Sequence, residues 1–191
     1  MILFFEGMDN CLKDTTINSL RGILIQPTQV IKCSAPPKSA KNLEDFQKTF
    51  FADLFDLVYS QLTKGRNLFL NRAHLGEVVY SPIYRGYSGS WIYELEHQFL
   101  EKMSEKERNE VFLILLFDSD VASLITREDG KSFSQRKSDL LENEIQLFKE
   151  AFAKSKLEKK IAFDLKDYRN QNSKDKIEIE EILEKILRFI S

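Results

Sequence analysis

Cysteine, surplus positive charge and long apolar runs are all scarce in this sequence. Cys11 and Cys33 are the two cysteines among 191 residues, and they show neither a CxxC spacing nor neighbouring histidines. We therefore expect reduced thiols and no zinc site. Lysine and arginine number 28 against 30 acidic residues, which gives a net charge of −2. Binding of long nucleic acids normally needs a clear excess of positive charge, so we exclude that partner and expect any phosphate site to be local.

The chain also lacks apolar runs of membrane-spanning length. The longest, residues 1–5 and 111–117, are far shorter than the roughly 20 residues that cross a bilayer. Met1 leads directly into a strand-like segment, without the charged and apolar regions of a secretory signal. We expect no membrane partner and a cytoplasmic location.

What the sequence does contain is a regular alternation of short apolar blocks and longer amphipathic segments. The blocks have the length of strands and lie at residues 2–5, 29–33, 67–70, 111–117 and 160–163. Apolar residues three and four apart predict helices at residues 15–24, 43–62, 90–103, 134–152 and 174–190. This order predicts one α/β domain with a five-stranded parallel sheet sandwiched by helices. Ligands of such sheets bind at the carboxyl ends of the strands.

The first predicted strand runs into a turn, residues 6–16, that opens a helix. Gly7 and Lys13 occupy the first glycine and the lysine of the phosphate-loop pattern G-x-x-x-x-G-K-[ST]. Such a turn presents backbone N–H groups and the positive end of a helix dipole to an anion. Leu12 and Asp14 depart from the pattern, because they stand where glycine and a hydroxyl residue are expected. Two of four fixed positions is a weak match, which the strand before it and the helix after it strengthen.

Both departures have physical consequences. A positive φ at Leu12 would strain the backbone around a branched side chain. Asp14 would repel a phosphate by about 4 kcal/mol at about 4 Å and an effective dielectric constant of about 20. Mg²⁺ held by Asp14, or by the hydroxyl of Thr15, would turn that repulsion into coordination. The alternative is that triphosphates bind poorly.

Together these features resemble the thymidylate kinases and related phage-type deoxynucleoside monophosphate kinases. Residues 5–9, Phe-Glu-Gly-Met-Asp, are similar to the F-E-G-x-D opening of that family. Residues 65–72 look like its strand ending in Asp-Arg, although Asn71 replaces the aspartate, and residues 74–85 look like the phage-type acceptor loop. Residues 111–117 and 126–134 are similar to its fourth strand, helix and basic lid. The resemblance implies a phosphate-loop (P-loop) nucleotide-kinase fold over residues 1–191, with a small lid at residues 127–138.

The resemblance also implies a role for each matching position. Catalytic roles would fall on Lys13, Arg72 and Arg127. The donor phosphates would be bound by Gly7, Asn10, Cys11, Leu12, Lys13, Asp14, Thr15 and Thr16 in the turn and by Lys131 and Arg136 in the lid. The acceptor nucleotide would be bound by Asp9, Phe51, Arg72, His74, Tyr80, Tyr84 and Arg85.

The sequence thus predicts a kinase that moves the γ-phosphoryl group of ATP to a deoxynucleoside monophosphate, dTMP or a related pyrimidine nucleotide. Mg²⁺ is the implied cofactor, and a homodimer is common in the family. Leu12, Asp14 and Asn71 motivate a second hypothesis, a catalytically impaired nucleotide-binding protein that acts as a sensor or partner-binding module. A third is a scaffold for dimerisation without a small ligand.

Plainer interpretations stand beside these roles. Arg72 and Arg85 can be surface ion-pair partners, and Arg127 can belong to a solvated face of mixed charge. Tyr80 and Tyr84, four residues apart, can be core residues of a helix.

Overall fold

The computed structural model of the chain describes residues 1–37, 39–127, 137–170 and 173–191. Five parallel strands form one sheet in the order β2-β3-β1-β4-β5. They are β1 (Ile2–Gly7), β2 (Thr28–Lys32), β3 (Asn67–Asn71), β4 (Val111–Phe117) and β5 (Lys159–Asp164). Each lies within two residues of its predicted position, so the predicted five-stranded parallel sheet is confirmed.

Burial along the strands follows their position in the sheet. Every residue of β1, β3 and β4 is buried, whereas the edge strands β2 and β5 are largely half-buried or exposed. A parallel sheet needs cover on both faces, and its inner strands are accordingly continuous apolar runs.

The helices lie on both faces of this sheet. They are α1 (Lys13–Ile23), α2 (Leu43–Thr63), α3 (Leu75–Tyr84), α4 (Ile92–Glu101), α5 (Glu105–Arg108), α6 (Val121–Thr126), α7 (Ser138–Lys154) and α8 (Ile179–Ile190). The ring of Phe4 in β1 contacts Phe55 in α2 and Phe99 in α4, and α3 packs against α4 and α7 in the same layer. Successive residues of a strand point to opposite faces of the sheet. Helices α1 and α8 pack together on the face opposite to α2, α3, α4 and α7.

Two stretches differ from the prediction. Most of residues 74–85, which were expected to form an acceptor loop, lie in helix α3 (Leu75–Tyr84), with Pro82 inside its last turn. The hydrogen bond that proline cannot donate is outweighed by the burial of Leu75 and Val79, and Ser81 closes the helix by accepting from the amides of residues 85 and 86.

The predicted final helix, residues 174–190, is shorter than expected. Its first part is strand β7 (Ser173–Ile177), which pairs with β6 (Arg169–Asn170) after a short 3-10 helix (Leu165–Tyr168). α8 then begins at Ile179. Among the described residues no helix is both long and apolar enough to cross a membrane.

Candidate functional site

The turn after β1 depends on a glycine at its first position. Gly7 has a φ of 126°, and a Cβ atom built there would lie 1.8 Å from the backbone oxygen of Leu116 in β4. No other residue fits so close an approach of two strands. The chain therefore leaves the sheet at Gly7, on its carboxyl edge.

Two further residues of the turn have left-handed backbone conformations. Asn10 has a φ of 61°, and Leu12 has a φ of 57° and a ψ of 17°. Asparagine visits this region readily, whereas for leucine it costs about 1–2 kcal/mol. The strain considered for Leu12 from the sequence is therefore present, and such strain concentrates at functional sites.

A cavity of about 590 Å³ opens in front of this turn. Its walls are Asp9, Asn10, Cys11, Leu12, Lys13, Asp14, Thr15, Lys32, Arg72 and Arg127. Most predicted phosphate-binding positions thus meet at one place. Thr16 does not, because it is buried and its hydroxyl donates to the Leu12 carbonyl at 2.9 Å. The predicted Lys131 and Arg136 lie outside the described residues.

Lys13 is folded back onto the turn that precedes it. Its ammonium donates to the Gly7 carbonyl at 2.7 Å and also to the Met8 carbonyl. Burial lowers the pKa of Lys13, and the neighbouring Cys11 and Asp9 act in the opposite direction. The ammonium therefore holds the turn in shape by satisfying two carbonyls that face inward.

Asp14, expected to face a phosphate or to hold Mg²⁺, is engaged by two neighbours. Lys32, the last residue of β2, donates to its carboxylate oxygens at 3.0 and 2.9 Å, and the amide of Asn71 donates to Oδ1 at 2.7 Å. Partial burial by itself would raise the pKa of Asp14, but the hydrogen bond and charge of Lys32 outweigh it and the pKa is lowered. The repulsion expected from Asp14 is thus offset by Lys32, which the sequence did not single out.

Arg72 follows β3 with a φ of 61°, and its guanidinium pairs with Asp9 at 2.5 Å. Its Nε is buried without a hydrogen-bond partner among the described residues. Arg72 and Asp9 also line a second, smaller cavity of about 60 Å³, so the pair forms a wall common to both.

The second cavity lies between β2, α2 and α3. Of the predicted acceptor residues it contains Asp9, Phe51, Arg72, Tyr80 and Arg85, and it adds Cys33, Ser34, Ala35, Gln47, Ala73, Gly76 and Glu77. Glu77 is 2% exposed and organises this wall. Its carboxylate accepts from Gln47 at 2.8 Å, from Ser81 at 2.7 Å and from Tyr87 at 2.6 Å, and it pairs with Arg85.

Sequence reasoning missed Gln47 and Glu77. Gln47 interrupts the apolar stripe of α2, four residues before Phe51, and an amide in such a stripe is a signal of a buried polar contact. Glu77 gave no comparable signal, because its stretch was interpreted as a loop.

Two predicted acceptor residues lie elsewhere. The hydroxyl of Tyr84 donates to Glu144 in α7 at 2.5 Å. His74 is buried in the core, where its Nε2 lies 2.7 Å from Glu96 and its Nδ1 lies 3.9 Å from Glu6. Burial raises the pKa of Glu6, although the nearby His74 opposes this. The position of His74 is that of a structural residue.

Arg127 follows α6 and lines the larger cavity. It pairs with the buried Asp118, which also receives two hydrogen bonds from Arg169 at 2.8 and 2.9 Å. Nε and Nη1 of Arg127 are buried without a hydrogen-bond partner among the described residues. Arg169, in the hairpin strand β6, was not expected from the sequence. Its two hydrogen bonds would still neutralise Asp118 if Arg127 moved away from that carboxylate.

Another cavity, of about 890 Å³, lies at the opposite edge of the sheet. Its lining includes Met1, Asn67 and Glu110, which begin or precede strands, and the apolar Leu24 and Ile25. Its lining contains no cluster of cations, so the cavity of about 590 Å³ at the turn after β1 is the better candidate for an anionic ligand.

Comparison with known proteins agrees with the fold. No family model matches the chain, and no curated protein matches it. Among solved structures, the YorR protein of Bacillus subtilis, solved in complex with phosphorylated GDP, superposes with a TM-score of 0.67 at 17% sequence identity. The match covers 100% of this chain and 95% of YorR, which shows that the whole chain shares that fold.

Proposed function

We propose that the chain is a nucleotide kinase, with the donor polyphosphate bound in the cavity of the P-loop and a nucleoside monophosphate bound in the adjoining smaller cavity. The observation that carries this proposal is the Asp9–Arg72 pair, which lines both cavities. A group shared by two neighbouring sites is where a phosphoryl group would pass between them. YorR, with the same fold, was solved with a phosphorylated nucleotide, which supports the class of ligand.

The charges of the larger cavity fit a polyphosphate. Four cationic side chains line it, Lys13, Lys32, Arg72 and Arg127, against the two carboxylates of Asp9 and Asp14. Cations placed around a transferring phosphoryl group stabilise the charge that spreads over its oxygens in the transition state.

In the proposed reaction an oxygen of the acceptor phosphate attacks the γ-phosphorus, the bond from the γ-phosphorus to the bridging oxygen breaks, and the nucleoside diphosphate leaves with that oxygen. The attacking oxygen is already deprotonated at neutral pH, so no general base is needed, in agreement with the buried position of His74. Arg72 would orient the two phosphates, and Lys13 and Arg127 would turn from their internal partners to the donor.

Mg²⁺ was expected through Asp14 or Thr15. Both carboxylate oxygens of Asp14 are hydrogen-bonded to Lys32, and Oδ1 also to Asn71. Among the described residues no group of three or more histidine, cysteine or acidic side chains could hold a metal ion. The protein therefore offers the ion no free carboxylate at position 14, and Mg²⁺ brought by the nucleotide itself stays a prediction, as does the homodimer.

For the acceptor we propose a deoxynucleoside monophosphate, dTMP or a related pyrimidine nucleotide. Phe51 supplies an aromatic face, and Gln47, whose amide nitrogen is held by Glu77, supplies a polar edge for a base. A base bound there would lie against Tyr80 in α3 and Arg85, which follows that helix.

The test is an assay of ADP formation from ATP with each common nucleoside monophosphate. We expect turnover with a pyrimidine monophosphate and a loss of about 10²-fold in kcat/KM for Arg72→Met. Arg66→Met is the matched control, because Arg66 lies before the amino end of β3 and bonds only to Gln61 in the described structure. Folded wild-type protein that turns over no monophosphate, or an Arg72→Met variant with wild-type rates, would contradict the proposal.

A second function, nucleotide binding without turnover, is favoured by one observation. Each cation of the larger cavity already has an internal partner, so a ligand must compete for it. Calorimetry separates the two functions, because a protein that binds a monophosphate but not ATP with Mg²⁺ would be a sensor.

A further inference from the structure

Lys32 places a cation at the mouth of the larger cavity from a strand that carries no part of the phosphate-loop pattern. It is the last residue of β2 and lies beside Asn71 of β3 in the sheet register. Its side chain crosses to Asp14 in the first turn of α1 and lines the cavity. Three elements that are distant in sequence therefore meet at one ion pair.

The ammonium of Lys32 keeps one donor beyond its contacts with Asp14. An ammonium has three protons, and its two contacts with the carboxylate of Asp14 use at most two of them. One donor of Lys32 is thus available to an oxygen outside the protein. Lys32 and Asp14 are 50% and 62% exposed, so a ligand in the cavity can reach the ammonium.

Asn71 holds the carboxylate of Asp14 in position for this ion pair. It is 1% exposed, and its amide nitrogen donates to Asp14 at 2.7 Å. A carboxylate at position 71 would instead face the carboxylate of Asp14 and repel it. The amide therefore allows Asp14 to remain charged and to hold Lys32.

We propose that Lys32 is a phosphate-binding residue for the donor polyphosphate, held over the cavity by Asp14, and that its ammonium supplies the positive charge that a metal ion at residue 14 would otherwise provide. This inference rests on the proposed function for the identity of the donor. It concerns the binding of phosphate oxygens and involves no bond making or breaking.

Calorimetric titration with inorganic pyrophosphate and with ADP, each in EDTA and in excess Mg²⁺, tests the inference. We expect Lys32→Met to weaken the binding of both ligands about tenfold or more in EDTA and to remain weaker in Mg²⁺. Lys32→Arg should stay within a few-fold of wild type, since arginine also donates to phosphate.

Lys102→Met is the matched control. Lys102 pairs with Asp56 at 2.6 Å, with exposures of 49% and 66%, so its removal breaks an ion pair of the same kind away from the cavity. We expect this variant to bind both ligands as wild type does.

Four outcomes separate the possibilities. Weaker binding by Lys32→Met but not by Lys102→Met supports the inference, even if no monophosphate is ever turned over. Equal binding by Lys32→Met and wild type overturns it. Tighter binding by Lys32→Met in Mg²⁺ but not in EDTA also overturns it, because Lys32 would then be blocking a metal site. Wild-type protein that binds neither pyrophosphate nor ADP overturns the proposed function together with the inference.

Discussion

Replacing Asn71 by aspartate would set a second carboxylate against Asp14, where the amide now donates at 2.7 Å. If both carboxylates are ionised and relax to about 4 Å, their repulsion at an effective dielectric constant of about 20 is on the order of 4 kcal/mol. The charge of Lys32 and the solvent around the exposed Asp14 screen part of this repulsion. We therefore expect Asn71→Asp to lower the free energy of unfolding by about 2 kcal/mol near neutral pH.

The pH dependence of this loss has a defined sign. The new carboxyl would be buried beside a like charge, so its pKa in the folded state would be raised and its penalty would fade as the pH is lowered. In wild type the pKa of Asp14 is lowered, so the stability that Asp14 contributes is present above its unfolded pKa and is lost as the pH falls through the folded value. The gap between variant and wild type should thus narrow towards low pH.

Urea denaturation of wild type, Asp14→Asn, Asn71→Asp and the double variant measures this coupling as a double-mutant cycle. The double variant again places one amide against one carboxylate, so it should recover at least about 1 kcal/mol relative to the sum of the single changes. A double variant that loses the full sum, or an Asn71→Asp protein as stable as wild type near neutral pH, would refute the reasoning.

Three further predictions concern stability and are read from thermal melting followed by circular dichroism. Gly7→Ala should lower the free energy of unfolding by about 4 kcal/mol or more, because its Cβ would meet the Leu116 carbonyl. Gly65→Ala, at a position with a φ of 64° but open space around it, should lower it by only about 1 kcal/mol. Similar melting temperatures of the two variants would contradict this. Glu6→Gln should stabilise the protein at pH values above the unfolded pKa of a glutamate and have no effect well below it, because burial raises the pKa of Glu6 and its ionised form therefore destabilises the folded state. Asp118→Asn should lower the free energy of unfolding by about 3 kcal/mol, because it removes the buried counter-ion of Arg127 and Arg169. An unchanged melting temperature would show that these ion pairs do not contribute to stability.

The fold could be predicted because its signals are local. Each strand is a short apolar run and each long helix repeats its apolar residues three and four apart, so the alternation alone predicts a parallel sheet with two helical layers. The exception is α3, whose residues were expected to form a loop and which contains Pro82. A proline in the last turn of a helix removes one hydrogen bond and does not prevent the preceding turns.

The site was only partly predictable because its contacts are long-range. Gly7 and Lys13 are adjacent to a recognisable turn, whereas the ion pair of Asp14 with Lys32 and the hydrogen bond from Asn71 exist only once β2, β3 and β1 are neighbours. From the sequence, Asp14 and Asn71 counted only as departures from the family pattern. In the structure they form one interaction, which no single-sequence pattern can show.

The contact of the Lys13 ammonium with the carbonyls of Gly7 and Met8 means that one positive charge has two duties. In the structure it stabilises the turn through these two contacts, and in the proposed complex it would turn outward to the donor. A substitution that removes this charge would destabilise the turn and weaken the proposed phosphate binding at the same time. Loss of activity in a Lys13 variant would therefore not by itself identify a chemical role, unless the loop is shown to keep its shape.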